Sequence, residues 1–344
     1  MSKKSQIVVI GASAGGVQAL QQLVSDLPET LDAALFVVLH SSPSAPSALA
    51  SILQRCTKLP VHEAEDGRPV TSGTITVAKP DYHLILDGDV VRLTRGPKEN
   101  RTRPAIDALF RSAAHSHSER VTAVILTGAL DDGTAGLWWV RDRHGTAIVQ
   151  EPSDAAFPSM PTSALQYAGA DYVVPVSGIG PLLAKLGSGT ARSTAKPVSK
   201  ELEVEIHIAR EGRGLQAGVM DLGPITPYTC PECHGILVQL KEGGVPRFRC
   251  HTGHAYSINN LLAEVTEYVE DALWNAIRSI EESAMLLKHI ANHVRTSKDD
   301  SATAELFEKK ATDTLRRADL VRQAAIEHQT LSQDNLADVK LVHR

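Results

Sequence analysis

The sequence predicts an α/β protein built on a doubly wound, mostly parallel sheet with helices on both faces. Three observations carry this expectation. Short runs that are apolar at every position, such as Ile7-Val8-Val9-Ile10 and Ala34 to Leu39, recur between residue 5 and about residue 186. Continuous rather than alternating apolar residues belong to strands buried on both faces. Segments of helical spacing separate these runs, and glycines punctuate the turns between them. The expected architecture is three-layered and Rossmann-like.

The first strand stops at Gly11-Ala12-Ser13-Ala14-Gly15-Gly16, and Val17, Leu20, Leu23 and Val24 resume with helical spacing. Ala34 to Leu39 is a second strand, ending at His40. Pro46 to Cys56 is expected to be helical. Val61 to Ala64 and Gly73 to Val77 form short strands, and His83 to Leu86 with Val90 to Leu93 form a hairpin around Asp87-Gly88-Asp89. Arg103 to His115 is a helix with Pro104 in its first turn. Val121 to Leu126 is a strand leading into a loop, Thr127 to Gly136. A helix over Leu137–Arg143, a strand over Ala147–Gln150, a helix over Ser163–Ala168 and a strand over Tyr172–Val174 complete the domain, taken as residues 5–186.

Residues 187–223 read as a linker, its opening rich in small polar residues. Within it, 201–223 is open between a strand, because Leu202, Val204, Ile206 and Ile208 alternate, and an exposed helix, because the segment is charged. Residues 224–256 form a small cysteine-bearing module. Residues 257–334 repeat apolar positions in steps of three and four, interrupted at 296–300, and predict an antiparallel helical hairpin. Its alanine-rich seam is expected to pack on something else or to self-associate.

A net charge of −5 argues against nucleic acid as the main partner. No apolar run approaches membrane-spanning length, so no membrane insertion is expected. Lys3 and Lys4 before an apolar run imitate a signal peptide, but the run is too short, so a cytoplasmic protein is expected. Three of the four cysteines lie between residues 230 and 250, a clustering that suggests a metal and a reducing compartment rather than disulfides.

Gly11 to Gly15 fits G-x-S-x-G, the turn that lifts a nucleophilic serine above a sheet. It does not fit the dinucleotide fingerprint or the phosphate-binding loop. A serine needs a base, and histidine serves at neutral pH; the histidine needs a carboxylate to fix its tautomer. Three strands end on such residues: Ser13, His40 and Asp132, the last in Asp131-Asp132-Gly133. Each alone is more simply a turn or structural residue; all three at strand ends, where α/β sheets gather their chemistry, make a catalytic set. In the C-terminal module, Cys230-Pro-Glu-Cys233 and Cys250-x-x-x-His254 form two knuckles with the ligand types and spacing of a structural zinc site. The expected ligands are Cys230, Cys233, Cys250 and His254. His251, adjacent to Cys250, would be cramped, and His234 stands behind His254. The module is therefore expected to be zinc-ribbon-like.

Ile10 to Gly16, Leu39-His40, Glu63 to Gly67, Asn100 to Pro104, Leu126 to Gly128, Asp132-Gly133 and Met160-Pro161 together resemble the catalytic domain of bacterial chemotaxis protein-glutamate methylesterases. The resemblance covers residues 5–186. It implies a triad of Ser13, His40 and Asp132 that hydrolyses glutamyl methyl esters on a chemoreceptor and releases methanol; some members also deamidate glutamine. It implies no cofactor for catalysis. Oxyanion donors would be the backbone amides of Ala14 and of one residue in Gly128–Leu130, taken as Ala129. Arg103 would steer the acidic receptor surface or is an ordinary surface residue. Two departures stand out. Gly128-Ala129-Leu130-Asp131 replaces the usual Gly-Met-Gly run, and the catalytic sequence starts at Ile7 without the usual receiver domain, so phosphorylation in cis is not expected. The module and hairpin, with Arg247 to Cys250 and Ala272 to Trp274, resemble an extension of some stand-alone homologues. Two other readings stay open: a hydrolase of a different ester or amide, and a non-enzymatic scaffold acting through the C-terminal helices.

Overall fold

A computed structural model describes residues 5–41, 48–187, 196–240, 245–297, 300–329 and 331. The chain divides into two units, residues 1–261 and 262–344. In chain order the first unit holds β1 (Gln6–Ala12), α1 (Gly16–Ser25), β2 (Ala33–Leu39), α2 (Leu49–Gln54), β3 (Val61–Glu63), β4 (Ile75–Val77), β5 (His83–Asp87), β6 (Val90–Thr94), α3 (Ile106–His117), β7 (Val121–Ile125), α4 (Thr134–Asp142), β8 (Thr146–Gln150), α5 (Ser159–Ser163), β9 (Tyr172–Val174) and α6 (Val176–Gly187). It continues with α7 (Lys200–Glu211), α8 (Gly214–Ala217), β10 (Ile225–Thr229), β11 (Ile236–Leu240), β12 (Arg247–Cys250) and β13 (Ala255–Ser257). Helix α9 (Ile258–Ser297) starts at its end, and α10 (Ser301–Glu327) follows.

Seven strands form one parallel sheet in the order β3-β4-β2-β1-β7-β8-β9. β1 lies at its centre, with Val9 beside Phe36 of β2 and Ala123 of β7. Its two faces explain the unbroken apolar run. Val8 and Ile10 pack with Leu20 and Leu23 of α1 and Ile179 of α6. Ile7 and Val9 point the other way, into a core with Leu109 and Phe110 of α3 and Leu137 of α4. The chain leaves β1 toward β2 and later returns on the opposite side at β7, so the strand order reverses between β1 and β7. Open α/β sheets bind their ligands beyond the strand ends at such a switch point.

Two expectations need correction, and a third falls partly outside the described residues. The helix expected from Arg103 starts instead at Ile106, and Pro104 precedes it, because the preceding loop is fixed by other bonds described below. The helix expected from Pro46 is described only from Leu49; residues 42–47 lie outside the described residues. The stretch 200–211, assigned to a linker, is helix α7 and is buried. Leu202 and Ile206 enter the main core, while Val204 and Ile208 enter a second cluster with Val219, Leu222, Val238 and Leu240. Of the rest of the expected linker, 188–195 lies outside the described residues, and α8 occupies Gly214–Ala217.

The cysteine-bearing module is a four-stranded antiparallel sheet, β10-β11-β12-β13. It is joined to the α/β body by a buried ion cluster. Glu99 accepts from Arg111 of α3 at 2.6 and 2.5 Å and from Arg249 of β12 at 3.0 Å. Glu205 of α7 accepts from Arg249 at 3.0 and 2.7 Å and from Arg247 at 3.5 Å. All five side chains are buried.

In the second unit, α9 and α10 run antiparallel. Arg295 pairs with Glu308 at 2.8 Å, Arg322 pairs with Glu281, and His328 Nε2 meets Thr266 O at 2.8 Å. Ala304, Ala311, Ala318 and Ala325, seven residues apart, are the buried positions of α10. Among the described residues no helix is long and apolar enough to cross a membrane.

Candidate active site

Ser13 follows the last residue of β1. Its backbone N–H donates to Thr127 O at 3.0 Å, and its carbonyl accepts from Gly16 N at 2.8 Å, where α1 begins. The turn needs its glycines. Gly15 has φ +73°, and a Cβ at Gly11 would lie 2.3 Å from Ile106 Cγ2. The tight packing of Gly11 on Ile106 brings the N-terminus of α3 against the end of β1.

His40 follows β2 and bridges the other two residues. Its Nδ1 lies 3.1 Å from Ser13 Oγ, and its Nε2 lies 2.8 Å from Asp132 Oδ2. A carboxylate accepts only, so Nε2 carries the proton and the Nδ1 lone pair faces the serine hydroxyl. Asp132 precedes the turn into α4 and is 3% exposed. It also accepts from Ile106 N at 2.7 Å, Asp107 N at 3.3 Å and Asn100 Nδ2 at 2.9 Å. The first two donors are the free N–H groups of the α3 N-terminus, which favours a negative charge there. Burial pushes the Asp132 carboxyl up. The bond and charge of His40, the Asn100 amide and the Ile106 amide outweigh it and hold the group below its ordinary range. The arrangement supplies a base held in one tautomer against a hydroxyl, the requirement for a nucleophilic serine.

Residues that the sequence did not single out complete the site. Asn100 joins Asp132 to Asp107, donating to Asp107 Oδ2 at 2.9 Å. Burial and the neighbouring Asp132 charge push the Asp107 carboxyl up to about 7, against the opposing pull of Arg247, Arg111 and the Gly136 amide. Thr102 Oγ1 lies 3.4 Å from His40 Nε2. Thr127 Oγ1 donates to Ala14 O at 3.0 Å and accepts from Phe157 N at 2.8 Å, tying the serine turn to the loop before α5. Asn100 and Thr102 stood inside the quoted Asn100–Pro104 motif, which was the one available signal. Arg103 is different from the expected surface group. Its Nε and Nη2 grip Asp81 Oδ1 at 2.9 and 2.5 Å, and Nη1 donates to Gly96 O at 2.8 Å. A guanidinium so occupied fixes the loop.

Of the expected oxyanion donors, the Ala14 and Ala129 amides have no hydrogen-bond acceptor among the described residues, whereas Gly128 N donates to Phe157 O at 3.0 Å. Gly128 is crowded: a Cβ there would lie 2.1 Å from Met160 Sδ and 2.9 Å from Ser13 Cβ.

Cys230, Cys233, Cys250 and His254 form a cluster whose donor atoms all lie within 4.8 Å of one another. Cys233 Sγ is 3.6 Å from Cys250 Sγ; His254 Nδ1 is 3.5 Å from Cys250 Sγ and 3.7 Å from Cys230 Sγ. A tetrahedral zinc ion requires separations of about 3.8 Å between sulfurs and about 3.5 Å between sulfur and nitrogen. The residues fit a metal of that kind. His254 N also donates to Cys250 Sγ at 3.2 Å, a backbone bond that steadies a thiolate ligand. His234 and His251 are not among the four.

Fold and site together define a three-layer α/β protein with a serine–histidine–aspartate relay at the switch point of its sheet. The sequence profile of the CheB methylesterase family matches residues 8–183, and the chain belongs to that family. A Leptospira interrogans relative is 34% identical over 182 residues, which cover 53% of this chain and 94% of the relative. A Thermotoga maritima protein named protein-glutamate methylesterase/protein-glutamine glutaminase is 37% identical over 185 residues, 53% of this chain and 54% of that one. The crystal structure of the Thermotoga maritima CheB methylesterase catalytic domain superposes with a TM-score of 0.51 at 36% identity, covering 53% of this chain and 98% of that domain.

Proposed function

We propose that this protein is a protein-glutamate methylesterase that uses Ser13 as nucleophile, His40 as general base and acid, and Asp132 as the group that orients His40. The observation that carries the reading is His40 bridging Ser13 Oγ and Asp132 at hydrogen-bond distances, in a chain of this family. His40 Nδ1 takes the Ser13 proton as Oγ attacks the ester carbonyl. The tetrahedral oxyanion is received by the Ala14 and Ala129 amides. The imidazolium, balanced by Asp132, protonates departing methanol; His40 then deprotonates a water that releases the glutamate and restores Ser13. A glutamine side chain would pass through the same acyl-enzyme and release ammonia.

The partner is a methylated chemoreceptor or a signalling protein of that kind, in a reducing cytoplasm where clustered cysteines serve as metal ligands rather than disulfides. Zinc on Cys230, Cys233, Cys250 and His254 would have four protein ligands and no open position, so it would serve as a structural cross-link. Elemental analysis of purified protein should find close to one zinc per chain, and Cys230→Ser with Cys250→Ser should remove it. The function is tested by methanol release from methylated receptor. Wild-type protein should release it and Ser13→Ala should not; equal release by both would overturn the nucleophile, and none by either would overturn the substrate.

A further inference from the structure

The cysteine-bearing module reaches the relay through two short routes. Asn100, whose amide holds Asp132, is itself held by β13: its Oδ1 accepts from Ser257 N at 2.9 Å, and its backbone N–H donates to Ala255 O at 2.8 Å. Asp131, the neighbour of Asp132, is buried and accepts from Ser257 Oγ at 2.7 Å, Asn259 Nδ2 at 2.9 Å and Asn260 Nδ2 at 2.5 Å. All three of these side-chain donors to Asp131 come from the segment just after the metal-ligand cluster. The knuckle itself is fastened to the same place. Arg249 precedes Cys250, donates to Gly253 O at 2.6 Å and reaches Glu99, the residue before Asn100, at 3.0 Å.

Val238 and Leu240 pack against α7 and Arg247 and Arg249 join the ion cluster, but the part of the module around the metal-ligand cluster is thin. β12 and β13 have four and three residues, and the cluster around Phe248 and Tyr256 counts Cys230 and Cys250 among its buried members. In modules with so little apolar core, metal binding supplies much of the folding free energy. We propose that this module is a positioning device for the relay. With its metal site closed, Ser257 and Asn260 hold Asn100 and Asp131, and through them set Asp132 against His40. Opening the metal site frees residues 250–260, takes the donors from Asp131 and two of the four bonds from Asn100, and lets the carboxylate drift from the imidazole. This rests on Ser13 being the nucleophile. A displacement of about 1 Å in such a relay costs on the order of 100-fold in rate.

The test reads zinc content together with the rate at which a fluorophosphonate labels Ser13 of the full chain. In that reaction Oγ bonds to phosphorus, fluoride leaves and His40 takes the proton. Zinc-loaded wild type should label readily. Chelator-stripped protein should label at least about tenfold more slowly, with its far-ultraviolet circular dichroism kept, and added zinc should restore the rate. Ser257→Ala with Asn260→Ala removes two of the three side-chain donors to Asp131 and leaves the Asn100 bonds, which run to backbone atoms of β13, in place; it should keep its zinc and still label slowly through the Asp131 route, with kcat for methanol release reduced by a similar factor and KM unchanged. Labelling of stripped protein, or of the zinc-replete double variant, within about twofold of wild type would overturn the proposal. Should stripping unfold the body, the zinc-replete double variant decides; should that variant lose zinc, Asn260→Ala alone is read the same way. Failure of zinc-loaded wild type to label would overturn the serine-nucleophile reading instead.

Discussion

Asp132 concentrates the electrostatics of the site in one carboxylate. Its Oδ2 receives His40 and Ile106 N, and its Oδ1 receives Asn100 and Asp107 N. Asp132→Asn keeps the shape but puts an amide where His40 needs an acceptor, so the ring turns to the wrong tautomer. The expected loss in kcat for methanol release is roughly 10³–10⁴-fold, with folding retained. Glu205 offers a different measurement. Burial raises its carboxyl, but Arg249, Arg111 and Arg247 overcome this and hold it at about 2 rather than 4.5. A carboxyl with a depressed folded-state pKa stabilises the fold above its ordinary value, and that contribution fades as pH falls through the folded value. Thermal midpoints should therefore drop between about pH 4.5 and about pH 2, and Glu205→Gln should flatten that part of the profile while lowering the midpoint near neutrality.

At the scale of elements, α7 teaches the most. Leu202 and Ile206 are four residues apart and share one face, directed at the main core. Val204 and Ile208 are also four apart and face the cluster under the cysteine-bearing module. Interleaving two helical faces produces apolar residues at every second position, which imitates a strand. A helix buried on two sides cannot be told from a strand by alternation alone. Leu202→Ala should cost about 2–5 kcal/mol in chemical denaturation of the whole chain, the value for a core leucine. A change near zero would mean that the segment is a tether. Helix α3 makes the complementary point. Its first free amides bind the Asp132 carboxylate, so its start is set by a residue 26 positions away and not by Pro104.

Across the first unit, the catalytic sheet and the cysteine-bearing module share one buried ion cluster. Arg111, Arg247 and Arg249 carry three charges against Glu99 and Glu205, with Asp107 nearby. Burial lowers the Arg111 guanidinium's hold on its proton, but Glu99, Glu205 and Asp107 outweigh it, so it stays charged throughout. Buried pairs of this kind are costly to break, because the remaining partner is left as an uncompensated charge. Arg249→Met should therefore destabilise the catalytic sheet as well as the module, by about 3–5 kcal/mol in denaturant titration followed by tryptophan fluorescence. Trp138 and Trp139 lie in α4, so loss confined to the module would leave their signal unchanged.

The sequence by itself determined the parallel sheet, the strand ends that carry Ser13, His40 and Asp132, and the four residues of the cysteine–histidine cluster. These are local signals: continuous apolar runs, glycine-bounded turns and closely spaced cysteines each report on their own neighbourhood. Only the tertiary structure decided that Asn100, Asp107 and Asp131 surround the relay, that Arg103 is spent on Asp81, and that the module after residue 224 is wired to the catalytic loop. Their partners are separated in the chain by as many as 157 residues, as between Ser257 and Asn100. A buried hydrogen bond between such distant groups leaves no periodicity or spacing behind, because either residue, taken alone, reads as an ordinary polar side chain in a loop.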